Sequence, residues 1–391
     1  MTLSRVFLGV VTSATILSLS IASADDTDPP SAQSDSTTTT QTTSAIRLPG
    51  FSQTETVEPA TPAAIAPATP DEETTIAPEV IEPIEPVLPD VLASSAIAYG
   101  SYQTDVSNFK RDLESLDDIE SAMNILGTHN SRQLASGWLA YSALLASQSE
   151  DFRKGVLDTE AYHGRDRLLN GMRNSPAYTL SLAGAKDAIS RALGASKADA
   201  RRLDTVGEEI KDQAYSLQGL GWAKARLSGK PADHAQLLRI AAIDGRPQSG
   251  AIRSLFVDQD VNKTISNANS LGSSTSLWDR LVSVGPELKL PGFSSYASPP
   301  SQYTIREDRQ VTAGNIATLA ALRIMGETDP TEASPYVQEA LEDSQTQSCF
   351  EQAQLNLLQC VSASRNVFER PFCIGVHALK EVGSCVGDVS Y

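Results

Sequence analysis

The chain is poor in the residues that most often carry chemistry. Its 391 residues include four histidines, four cysteines, four methionines and three tryptophans. No HExxH, no GxSxG, no P-loop and no dinucleotide fingerprint occurs, so the common metalloprotease, serine-hydrolase and nucleotide chemistries have no motif here, and no cofactor is expected. No cluster of Lys and Arg is present to hold anionic lipid. The formal net charge of −17 also argues against nucleic acid as a partner, because neutralising phosphates needs a basic face. Beyond residue 24 no segment is apolar enough to span a bilayer. Cysteine is missing from the first 348 residues.

What is present is unevenly placed. Arg5 supplies one positive charge ahead of a mostly apolar run from Val6 to Ile21, and Ala22-Ser23-Ala24 leads into Asp25. A basic start, a short apolar stretch and small residues at −3 and −1 are the parts of a secretory signal peptide over residues 1–24, with cleavage expected after Ala24. The run is short for a membrane anchor and holds Thr12, Ser13, Thr15, Ser18 and Ser20. A periplasmic or secreted protein is therefore expected, with no membrane anchor after cleavage.

Residues 25–93 hold thirteen acids against a single base, Arg47, together with eleven of the 21 prolines and one aromatic, Phe51. Such a segment buries too little apolar area to offset its ordering entropy, and a disordered acidic Pro/Thr-rich tether is expected. Its last part, from Ile81 through Pro83 and Pro86 to Pro89, favours extended polyproline II.

From residue 94 onward helical spacing replaces almost all strand-like alternation. Leu203, Val206, Ile210, Ala214 and Leu217 recur every three or four residues, predicting a helix over 196–227 with a break near Gly219-Leu220-Gly221. Ser196 with Asp199 three residues on resembles a capping box at its start. Leu134, Trp138, Tyr141 and Leu145 mark another helix of about 17 residues. Ser175-Pro176 and Ser334-Pro335 read as N-caps followed by Pro at the first helical position, and Gly326 closes a helix holding Ile316 and Leu319. Residues 245–300 are rich in Gly, Ser, Asn and Pro, and are expected to form an irregular connection with a short helix near 277–284. The fold class expected is all-α: a helical bundle or two helical lobes, with a helical domain over 94–244 and a C-terminal helical region over 301–391.

The cysteines lie at 349, 360, 373 and 385, and an exported chain meets an oxidising compartment, so disulfides are expected. Four cysteines allow three pairings. On one helix, Cys349 and Cys360 stand about 16 Å apart, whereas a bridge needs Cα atoms within about 7 Å. A helical hairpin turning near 364–371 answers this, pairing Cys360 with Cys373 by the loop and Cys349 with Cys385 at the open end. Zinc is the rival reading. It lacks the tight CxxC knuckles of structural sites, although His377 stands one turn past Cys373.

The densest polar cluster runs from Glu160 to Arg167 and includes His163. A Glu beside aromatics can act as a general acid on a wall polymer when burial raises its pKa, and this makes Glu160 and His163 the catalytic candidates. Ion pairing at a solvated helix end is the plainer account. Trp138, Tyr141 and Trp222 would line a carbohydrate groove or fill a core.

The stretches SGWLAYSALLASQS from Ser136 and QAYSLQGLGWAKARL from Gln213, with the four-Cys tail, resemble uncharacterised exported all-helical proteins of alphaproteobacteria. The resemblance covers most of residues 130–391 and implies compartment and helical fold, with no activity to carry over. The expected function is that of a non-enzymatic envelope protein, binding another envelope protein or cell-wall polymer through or at the end of its tether. The alternative is a hydrolase acting on peptidoglycan or another surface polymer, with Glu160 as its acid.

Overall fold

The computed structural model describes residues 90–258, 276–279, 303–331 and 333–391. The expected signal peptide, the expected tether up to residue 89 and most of the expected 245–300 connection lie outside them. Asp90 opens the described chain as a helix cap, its carboxylate accepting from the Leu92 N–H at 2.8 Å. Helix α1 (Val91–Asn108) follows and buries Leu92 and Ala93, so the folded region starts four residues ahead of the expected boundary.

Short helices come next, each started by a polar cap. They are α2 (Leu116–Gly127, capped by Ser115), α3 (Ser131–Ala146, capped by Asn130) and α4 (Glu150–His163, capped by Ser149). Helices α5 (Arg165–Asn174) and α6 (Pro176–Leu180) carry the chain to α7 (Ala185–Leu217). At 33 residues α7 spans roughly 50 Å and is the longest element described. Its start lies eleven residues ahead of the expected one. Ser196 and Asp199 are therefore not a capping box: both sit in mid-helix and are buried. The expected break near Gly219 is present, as α7 ends at Leu217 and a 3₁₀ turn (Trp222–Lys224) follows.

Helix α8 (Pro231–Asp244) ends at Gly245, whose φ of 74° lies in the left-handed region that favours glycine. Helix α9 (Gly250–Arg253) runs into a π turn (Ser254–Asp258). The chain then gives α10 (Gln310–Ile324), α11 (Pro335–Leu341) and α12 (Ser344–Ala363). Helix α10 closes as expected at Gly326, with the Gly326 N–H on the Arg323 carbonyl and the Glu327 N–H on that of Leu322, the Schellman pattern. Helices α13 (Glu369–Cys373) and α14 (Glu381–Gly387), joined by a π-helical stretch (Ile374–Lys380), complete the tail.

The fold is all-α. Among the described residues there is no strand, only isolated bridges joining Arg226 to Asn366 and Ile305 to Ser390. No described helix is long and apolar enough to cross a membrane. Among the described residues a single cluster of buried side chains runs from Leu92 to Val389, as in one bundle. The 245–300 connection adds Ile252, Phe256 and Trp278 to that core rather than dividing it. Helix α3 is buried along nearly its whole length, packed by α1, α7, α10 and α12.

The tail forms the expected disulfide-stapled hairpin. Cys360 and Cys373 are bonded near the loop, with Cα atoms 5.6 Å apart, and Cys349 and Cys385 toward the open end, at 5.7 Å. All four cysteines are thus oxidised, leaving no thiolate to bind a metal. The second arm lies along α7 at close range, with Gly207 and Gly375 face to face.

Candidate functional site

Among the described residues Glu160 and His163 are not gathered at a cleft. Glu160, at the end of α4, accepts from Arg165 Nε at 2.7 Å, and Arg165 also reaches Glu327 and the Met325 carbonyl. This ion pair ties α4 to α5 and to the end of α10. His163 is exposed and lies edge-on to the exposed ring of Tyr162. Neither residue lines any of the clefts described below.

The aromatic residues divide. Trp222 stays at the surface, while Trp138 and Tyr141 are buried, Tyr141 against a residue that sequence spacing did not single out, Trp278. These rings surround a buried polar circuit centred on Asp199. Its Oδ2 accepts from Tyr99 Oη at 2.9 Å and Trp278 Nε1 at 3.0 Å, and its Oδ1 accepts from Ser276 Oγ at 2.7 Å. Gln103 Nε2 donates to Tyr99 Oη, and Arg202 Nη1 donates to Gln103 Oε1. Arg202 Nε then reaches Asp279, one residue past Trp278, and closes the circuit. Trp138 Nε1 donates to Ser196 Oγ one turn earlier on α7.

Burial drives the Asp199 pKa up to about 6, against the opposing pull of its three donors and the Arg202 charge. Burial and the nearby Asp199 charge likewise raise the phenol of Tyr99 well above its ordinary value, and that of Tyr141 too. The circuit is buried except at Asp279, which reaches the surface, and among the described residues it carries no nucleophile–base pair. Its chemistry is that of an anchor: Ser276, Trp278 and Asp279 hold one short segment of the connection against α1 and α7.

Open space lies elsewhere. A cleft of about 440 Å³ sits beside the first turns of α1, where the tether joins the folded chain. Ser94 and Ser95 line it from α1, Gln133 and Ser136 from α3, Gln338 from α11, with Gln248 and Gln347 completing the wall. Its charged members are engaged: Arg132 Nε donates to Glu351, and Glu342 accepts from Gln338. The uncharged polar part of the lining is amide and hydroxyl, which both donates and accepts and suits a neutral hydrogen-bonding partner. A second cleft of about 370 Å³ lies between α6, α10 and α11, lined by Arg173, Tyr336 and Asp343. A third, of about 330 Å³, lies between α2 and α8. Among the described residues no group of three or more His, Cys, Asp or Glu is placed to hold a metal ion. His377 pairs with Glu381 at 2.8 Å.

None of the cleft residues carries a motif. Glutamine and serine on helical faces read as solvated surface, and only the convergence of α1, α3 and α11 gathers them. No family model, no curated protein and no solved structure matches this chain.

Proposed function

We propose that this protein is an exported helical domain that binds another component of the cell envelope, held on an acidic tether. The observation that carries this reading is the glutamine- and serine-lined cleft beside the root of the tether. It is large enough for a ligand and offers hydrogen bonds rather than a reacting group. Two stapled helices suit an oxidising compartment. Residues 1–24 supply the export signal in this reading, and the mature chain begins at Asp25.

Site-specific photo-crosslinking in cells tests it. A crosslinker at Gln338 should yield a discrete adduct that one at exposed Tyr215, on a different helix, does not. Gln133→Ala with Gln338→Ala should reduce binding to the captured partner without changing the melting curve. Equal adducts from both positions, or none, would remove the reading. Incubation with purified sacculi separates binding from cleavage: co-sedimentation supports a binder, while soluble fragments lost in Glu160→Gln would restore the hydrolase.

A further inference from the structure

The cleft between α2 and α8 has a different chemistry from the one beside the tether. Met123 of α2, Leu237, Leu238 and Ala241 of α8, and Val361 of α12 give it an aliphatic wall, and Glu120, Asn124 and His234 are its polar lining. Arg370 of α13 also lines it and is only 3% exposed. Its Nε and Nη2 are buried and have no protein acceptor. The other buried arginines fare differently: Arg202 donates to Asp279 and Gln103, and Arg309 to the Cys385 carbonyl.

An arginine cannot shed its proton to escape burial, so an unpaired guanidinium in an apolar setting is costly unless an anion joins it. The acid that bears on it across the cleft is Glu120, which acts through space with no hydrogen bond to it. His234, also on the wall, turns its Nε2 to the Ser228 carbonyl at 2.7 Å. A carboxylate or phosphate in the cleft would meet the edge of this guanidinium, and a turn of the side chain would bring its unfilled Nε and Nη2, now closed to solvent, onto the anion as a fork.

The rest of the ligand follows from the walls. Leu237, at the cleft, is 67% exposed, and Ile240 and Ile243 continue an uncovered apolar stripe along α8 at 50% and 65%. Three large aliphatic side chains facing solvent on one short helix are unusual for a face with nothing to bind. We propose that this cleft binds a single-chain amphiphile with an anionic head, the head on Arg370 and the alkyl chain along Met123, Leu237 and Ala241. The inference is independent of the reading given to the glutamine-lined cleft, because the two sites share no residue.

Calorimetry on the oxidised mature chain tests it, with decanoate and decyl phosphate as probes and butanoate as a short-chain control. At least one long-chain probe should bind one-to-one, at least tenfold more tightly than butanoate. The tighter of the two identifies the head group. Arg370→Met should weaken binding at least tenfold, and Glu120→Gln should strengthen it by relieving repulsion. Leu237→Glu, at an exposed position that leaves folding intact, should weaken it as well and stands in if Arg370→Met fails to fold. Binding of neither long-chain probe, or affinities unchanged in both Leu237→Glu and a folded Arg370→Met, would overturn the proposal.

Discussion

Asp199 shows how one residue carries both stability and pH response. Its raised pKa means that the folded protein keeps a proton that the unfolded chain has released between about pH 4 and pH 6. Its contribution to stability is thus greatest below about pH 4 and falls as pH rises to about 6, a swing of roughly 3 kcal/mol. His129 runs the other way. Burial lowers its pKa beside Asp105, so its contribution is present above about pH 6.5 and is lost as pH falls. Comparison with Asp199→Asn isolates the carboxylate. The variant keeps an oxygen for Tyr99 and Trp278 while its amide donates to Ser276. Urea unfolding at pH 4 and pH 7 should show the wild type losing roughly 3 kcal/mol relative to the variant across that interval. Parallel curves would show that Asp199 titrates as an ordinary carboxylate. Asp199→Leu should cost more at both values, since it orphans the Trp278 indole N–H and its companions.

Between elements, the governing contact is α7 against the second arm of the tail. A Cβ at Gly207 would stand 2.6 Å from the Gly375 carbonyl oxygen, and one at Gly375 2.5 Å from that of Gly207. Neither backbone can yield without separating the helices. Gly207→Ala should therefore destabilise by about 1–3 kcal/mol. Gly221→Ala, where an added Cβ meets nothing within 4 Å, should be neutral or slightly stabilising. Thermal melts of the two variants decide this. The staples act on the same arm. Replacing Cys349 and Cys385 by Ser opens a loop of 36-residue separation, and replacing Cys360 and Cys373 one of 13. In the chain-entropy model the losses are roughly 4 and 3 kcal/mol, so chemical denaturation should rank the outer bridge as the more stabilising.

For the whole molecule, the core begins at Leu92, and Asp90 is tied back by Arg323 Nε at 2.7 Å. A chain beginning at Leu88 should keep the melting temperature of the mature protein, while Asp90→Ala, losing both the cap and the ion pair, should lower it. A fall in melting temperature on removing residues 25–87 would show that the tether contributes to the fold.

The sequence by itself determined what is local. Period-3.6 spacing marked the helices, Ser334 and Gly326 marked ends, and the separation of Cys349 from Cys360 along one helix excluded their pairing and made the hairpin the economical arrangement. These depend on neighbours within a few turns, and such neighbours are visible in one dimension. The tertiary structure decided everything that rests on distant residues. Ser196 and Asp199 look like a cap because short polar side chains favour helix starts. Only the donors brought to Asp199 by Tyr99 and the 276–279 segment, and to Ser196 by Trp138, make them tenable in mid-helix. Arg370 reads as one more surface charge until α2, α8 and α12 enclose it. The glutamine-lined cleft is likewise assembled by packing, because no spacing along the chain records which solvated faces will meet.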